Sequence, residues 1–106
     1  MLSLKQDLAI MVSPLERIVE AQVCDYAEVK GCEVLKLNLK GRRGWPDRLF
    51  IFHGKVLFIE FKRLGEQPTT LQNFVHKVLR DHNIGVEVVD DSYKGRRIID
   101  ELTNRG

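Results

Sequence analysis

Asp47, Glu60 and Lys62 are the residues whose types and spacing point to chemistry. Glu60 and Lys62 lie two apart in the run Val56–Lys62. On an extended strand they share one face with Val56 and Phe58, while Leu57, Ile59 and Phe61 point the other way. Charged groups among such neighbours are costly without partners. The preceding run, Asp47–Phe52, supplies one. Phe52-His53-Gly54-Lys55 reads as a hairpin with a two-residue type I′ turn, because Gly at the second central position suits it and His tolerates positive φ. If Phe52 then pairs with Lys55, counting back sets Asp47 directly opposite Glu60. Opposed side chains share a face with Cβ atoms roughly 4.5–5.5 Å apart. Two carboxylates so close repel unless a positive charge sits between them. A divalent cation does this, and carboxylate oxygens are the ligands that Mg²⁺ and Mn²⁺ prefer. Lys62, on the same face, suits the orientation of a water nucleophile or the stabilisation of charge on a phosphorane. A register slip of one residue would put the carboxylates on opposite faces.

These residues need a scaffold. The chain has 106 residues, which fits a single domain over 1–106, with a core at about 13–90, a lead-in at 1–12 and a C-terminal helix at 91–106. A hydrophobic fraction of 43% and a charged fraction of 30% are those of a globular protein rather than a disordered one. No apolar run approaches the roughly 18 residues of a membrane span, and the first residues lack the pattern of a signal peptide, so a cytoplasmic protein is expected. Cys24 and Cys32, with three scattered histidines, form no zinc pattern. They read as reduced core residues, with a disulfide as the alternative. The net charge of +2 neither demands nor excludes a nucleic-acid partner.

Ser13 as N-cap, Pro14 at the first helical position and Glu16 three residues after the cap predict a helix over 14–30. Cys32–Leu39, Asp47–Phe52 and Val56–Lys62 read as strands. Thr69 or Thr70 caps a second helix, on which Leu71, Phe74, Val75, Val78 and Leu79 form an apolar stripe, and His82-Asn83 and Gly85 end it. Val86–Val89 is a strand, and Ile98, Ile99 and Leu102 suggest a last helix. The order α-β-β-β-α-β-α predicts an α/β fold. Its mixed four-stranded sheet has an antiparallel meander, a parallel addition through a helical crossover, and flanking helices.

Gly44-Trp45-Pro46-Asp47, Phe58-Ile59-Glu60-Phe61-Lys62 and Gln72 early in the next helix resemble the PD-(D/E)XK nuclease superfamily. More narrowly they resemble its VRR-NUC family, the virus-type replication-repair nuclease domain, over roughly Ser13 to Val89. The resemblance implies a restriction-endonuclease-like core and a Mg²⁺- or Mn²⁺-dependent endonuclease acting on DNA. Asp47 and Glu60 would be metal-binding carboxylates, with the Phe61 carbonyl as a further ligand, Lys62 the catalytic lysine, and Gln72 a site residue. The family also carries an acid on the first helix. Glu20, which borders the apolar stripe beside Val19 and Val23, fits that role better than Glu16, whose alternative is the capping box. Lys36 resembles a basic residue of the family's first strand. Lys40, Arg42 and Arg43 on the Gly-rich loop either hold phosphates or are simply solvated. Trp45 either wedges against a nucleic-acid branch or packs its loop. Lys94, Arg96 and Arg97 read as a solvated helix start, and His53, His76 and His82 as structural or exposed, without matched partners. Stand-alone members of the family come largely from phages and bacteria and resemble archaeal Holliday junction resolvases. They imply branched DNA as the partner, a homodimer, and no nucleotide cofactor. The other reading is a non-catalytic nucleic-acid-binding module on a nuclease scaffold.

Overall fold

The structure, a computed structural model, describes residues 4–105, with side chains described from Glu16 onward. Its elements are α1 (Leu4–Val29), β1 (Glu33–Lys36), β2 (Arg48–Phe52), β3 (Lys55–Phe61), α2 (Thr70–Asp81), β4 (Gly85–Val89) and α3 (Ser92–Leu102). The four strands form one sheet in the order β1-β2-β3-β4. The pairs β1–β2 and β2–β3 are antiparallel, and β3–β4 is parallel. The expected α/β order and mixed sheet are therefore present. Among the described residues no helix is long and apolar enough to cross a membrane.

The β2–β3 turn falls at His53-Gly54, with φ of 44° and 81°. Both values are positive, as a type I′ turn requires. The register follows from it. Phe52 pairs with Lys55 and Arg48 with Ile59, and the Asp47 amide donates to the Ile59 carbonyl at 3.1 Å. The ladder also runs past the end of β1, where the Leu37 amide donates to the Asp47 carbonyl at 3.0 Å. Alternation then sorts the sheet into two faces. Phe50, Phe52, Ile59 and Phe61 pack with Val19, Val23, Ala27 and Ile99 of α1 and α3. On the other face, Phe58 and Val86 pack with Trp45 and with Val75 and Leu79 of α2.

Two expectations are corrected. The first helix does not begin at Pro14 but runs unbroken from Leu4. Residues 4–12 are mostly good helix formers, and Pro14 lies inside the helix rather than at its first position. Glu16 is therefore not the third residue of a helix, and the capping box proposed for it does not exist. Residues 1–3 of the expected lead-in lie outside the described residues. The second correction concerns α2. Its stripe is rotated from the expected one: Val75, His76 and Leu79 are buried, whereas Leu71, Phe74 and Val78 are exposed. The start of α2 is as expected. Thr69 is the N-cap, and Gln72 closes a capping box with it. Cys24 and Cys32 are buried and free.

Candidate active site

The end of the β2–β3 hairpin brings Asp47 and Glu60 together. Asp47 stands just ahead of β2, behind the buried ring of Pro46. Its Oδ2 accepts from the Phe61 amide at 2.7 Å, which fixes the carboxyl against β3. Glu60 occupies the adjoining position of β3 and is only 3% exposed. The two carboxyls interact directly, and each is affected by the other's proximity. Burial, then the charge of Asp47, pushes the Glu60 carboxyl up to about 8, against a smaller downward pull from Lys62. Burial also raises the Asp47 carboxyl, opposed by the Phe61 amide that donates to it. Near neutral pH the pair thus retains a proton, which a cation would displace.

Two residues of α2 attend Glu60, and they are one turn apart. Gln72 Nε2 donates to Glu60 Oε2 at 3.3 Å. The same side chain accepts from the Thr69 amide at 2.9 Å through Oε1, so the capping box that starts α2 also aims Gln72 at the site. His76 is 1% exposed, and its Nε2 stands 3.7 Å from Glu60 Oε1. Neither atom has a hydrogen-bond partner. Burial lowers the pKa of His76, which keeps the ring neutral. His76 therefore does face a matched residue, contrary to the sequence reading. The spacing of Gln72 and His76, four residues on one helix, was the available signal.

Lys62 follows β3, still tied to the sheet by its amide, which donates to Val89 at 2.9 Å. Its ammonium lies 3.9 Å from Glu66, and it lines a cavity with Glu16, Val19, Leu64 and Asp90. Glu16 also approaches Arg63 at 3.7 Å. Glu20 is on the other face of the sheet, where Arg48 Nε donates to its Oε2 at 2.6 Å. Its charge still reaches Asp47. The structure thus sets both helix-borne acids at the margin of the site, Glu16 on the Lys62 side and Glu20 engaged with Arg48. Lys36 pairs with Arg48 and so shares the face away from Asp47. Lys40, Arg42 and Arg43 are exposed on the β1–β2 loop, with the Arg42 guanidinium 5.9 Å from the centre of the Trp45 ring.

No family model matches the chain. It is 37% identical over 68 residues to a protein of Acyrthosiphon pisum secondary endosymbiont phage 1 named "Putative nuclease p44", covering 63% of this chain and 67% of that protein. The chain belongs to the family of this phage nuclease. The oxygen donors that this site could offer a cation are the carboxyls of Asp47 and Glu60. Among the described residues no group of three or more His, Cys, Asp or Glu is gathered as a metal cage. Such a set suits Mg²⁺, which keeps several waters and is held through one or two carboxylates plus substrate phosphates. It does not suit zinc, which takes four tightly placed nitrogen and sulfur ligands in structural sites. The unpartnered Glu60 Oε1 is the observation that favours a cation.

Proposed function

We propose that the protein is a Mg²⁺- or Mn²⁺-dependent endonuclease of the VRR-NUC type that hydrolyses phosphodiester bonds in DNA, with preference for branched structures, and that it works as a homodimer. The observation that carries the reading is the pairing of half-buried Asp47 with buried Glu60, with an unpartnered carboxyl oxygen on Glu60 and Lys62 beside them. Membership in a phage nuclease family supports it.

Asp47, Glu60 and the Phe61 carbonyl would hold the cation. Bound there, it supplies positive charge that polarises the scissile phosphate and makes water a stronger nucleophile. The chain's own residues set the geometry. The Phe61 amide holds Asp47. Gln72 holds Oε2 of Glu60, while Oε1 faces His76 at 3.7 Å without a hydrogen bond. Lys62 brings a positive charge to the same end of the sheet, where it orients water and offsets charge developing on phosphorus. Its contact with Glu66 spans 3.9 Å and leaves the ammonium available. One such site cuts one strand, and a symmetric pair cuts two strands of a branched substrate.

The test is a cleavage assay with labelled four-way junction, flap and linear duplex in Mg²⁺ and in Mn²⁺. Wild-type protein should cut a branched substrate, and Asp47→Ala and Lys62→Ala should not. Tight binding without cutting in either metal would replace this reading with that of a binding module.

A further inference from the structure

Beside the carboxylate pair the same sheet face carries a cavity of about 390 Å³, lined by Leu37, Leu39, Arg42, Trp45, Leu49 and Phe58. Its floor is set by register. Leu49 pairs with Phe58, one rung along from Asp47 and Glu60 on that face. Leu37 adjoins Asp47 from the other side, donating its amide to the Asp47 carbonyl. Two residues of strand separate successive same-face rungs, roughly 6.5–7 Å. The cavity therefore begins within about one rung of the carboxylates.

Its walls are apolar and aromatic. Trp45 meets Phe58 edge-on with ring centres 6.0 Å apart, and Arg42 stands over Trp45 at 5.9 Å. No residue of α2 lines it, so this end of the face is left to the loop. Between Leu37 and Pro46 that loop carries Lys40, Arg42 and Arg43 and no carboxylate. A concave apolar floor, an indole and the Arg42 guanidinium, on a loop that carries two further cations, are complementary to a flat aromatic ring carried on a phosphate chain.

We propose that this cavity receives an unpaired base of the DNA strand that is cut, next to the scissile phosphate. The inference rests on the nuclease reading and extends it to the substrate's form. A base inside a duplex is stacked on both faces and cannot reach the floor, so only a splayed or extruded nucleotide fits. Preference for distorted DNA would then arise from this cavity rather than from a separate recognition domain.

Trp45 is the single tryptophan of the chain, so its emission reports directly on the cavity. In EDTA, to prevent cutting, the protein is titrated with a single-stranded oligonucleotide and with the blunt duplex of the same sequence. The single strand should quench Trp45 emission and the duplex should not. Trp45→Ala should weaken single-strand binding by roughly 5- to 150-fold, the range of base–aromatic stacking, and leave duplex binding unchanged. Trp45→Phe, which keeps the loop packed, should retain most of the affinity. Single-strand binding with unaltered emission, or equal binding by Trp45→Ala, would overturn the inference while leaving the nuclease reading intact. Emission that changes with protein concentration alone would overturn it in favour of self-association through this face. Failure to bind any DNA both in EDTA and with Ca²⁺ supplied in place of Mg²⁺ would overturn the nuclease reading itself.

Discussion

Replacing Glu60 by glutamine should remove a pH dependence of stability that the metal-free protein carries. The Glu60 carboxyl is pushed up to about 8 from an ordinary value of 4.5. Between those values the folded protein holds a proton that the unfolded chain has released, so stability is lost as pH rises. Asp47 is shifted in the same direction from a lower starting point. His76 acts in the opposite sense. Its lowered pKa makes the unfolded chain the better proton binder below about 6.5, so stability there rises with pH. The Cys24 thiol, pushed up to about 11 from 9.0, matters only at higher pH. Over the interval from about pH 6.5 to 8 the carboxyl pair dominates, with Glu60 foremost and a small opposite contribution from His76 that fades above about pH 7.5. At about 1.4 kcal/mol per pH unit for one proton, the wild type should lose at most about 2 kcal/mol across it. Urea unfolding in EDTA at four pH values measures this, with the slope of the unfolding free energy against urea expected to stay constant. Glu60→Gln should be nearly level over the same interval. A Glu60→Gln variant that falls as steeply as the wild type would refute the assignment of the buried proton to this pair.

Two further substitutions test the packing that places the site. Gly95→Ala would put a Cβ 2.4 Å from Val23 Cγ2 and 3.2 Å from Val89 Cγ1. Crowding between α1, α3 and β4 should cost about 1–3 kcal/mol, read as a lower melting temperature. His76→Ala should cost about 2–4 kcal/mol in urea unfolding, because it empties a buried position against Glu60. A solvated helix-surface histidine would cost under about 0.5 kcal/mol.

Much of the sheet was legible because a single turn determines it. Once His53-Gly54 is read as a type I′ turn, the pairing of β2 with β3 follows, and with it the approach of Asp47 to Glu60. The start of α2 was legible to within a residue, Thr69 or Thr70, because a cap is a local signal, whereas Gln72 entered only through the family resemblance and its capping box with Thr69 went unread. The orientation of α2 was not. Hydrophobic spacing favours turning Leu71, Phe74 and Val78 inward, yet they are exposed. A buried Glu60 needs polar neighbours, and the helix is turned so that Gln72 and His76 meet it. That demand comes from a strand ten residues and more away, so no local window contains it. The start of α1 was misread because Ser13-Pro14 carries the marks of a helix start inside a longer helical segment. That misreading also gave Glu16 a capping role, whereas it lies beside Arg63 and shares a cavity with Lys62.

The most direct measurement is calorimetric titration of Mn²⁺ into metal-free protein at pH 7, in two buffers of different ionisation heat, for the wild type and Glu60→Gln. The wild type should bind the ion and release about one proton, because a carboxyl with a pKa of about 8 is still protonated at that pH. Glu60→Gln should not bind. Equal binding by both proteins, or binding by the wild type with no proton released, would contradict a cation site built on Asp47 and Glu60.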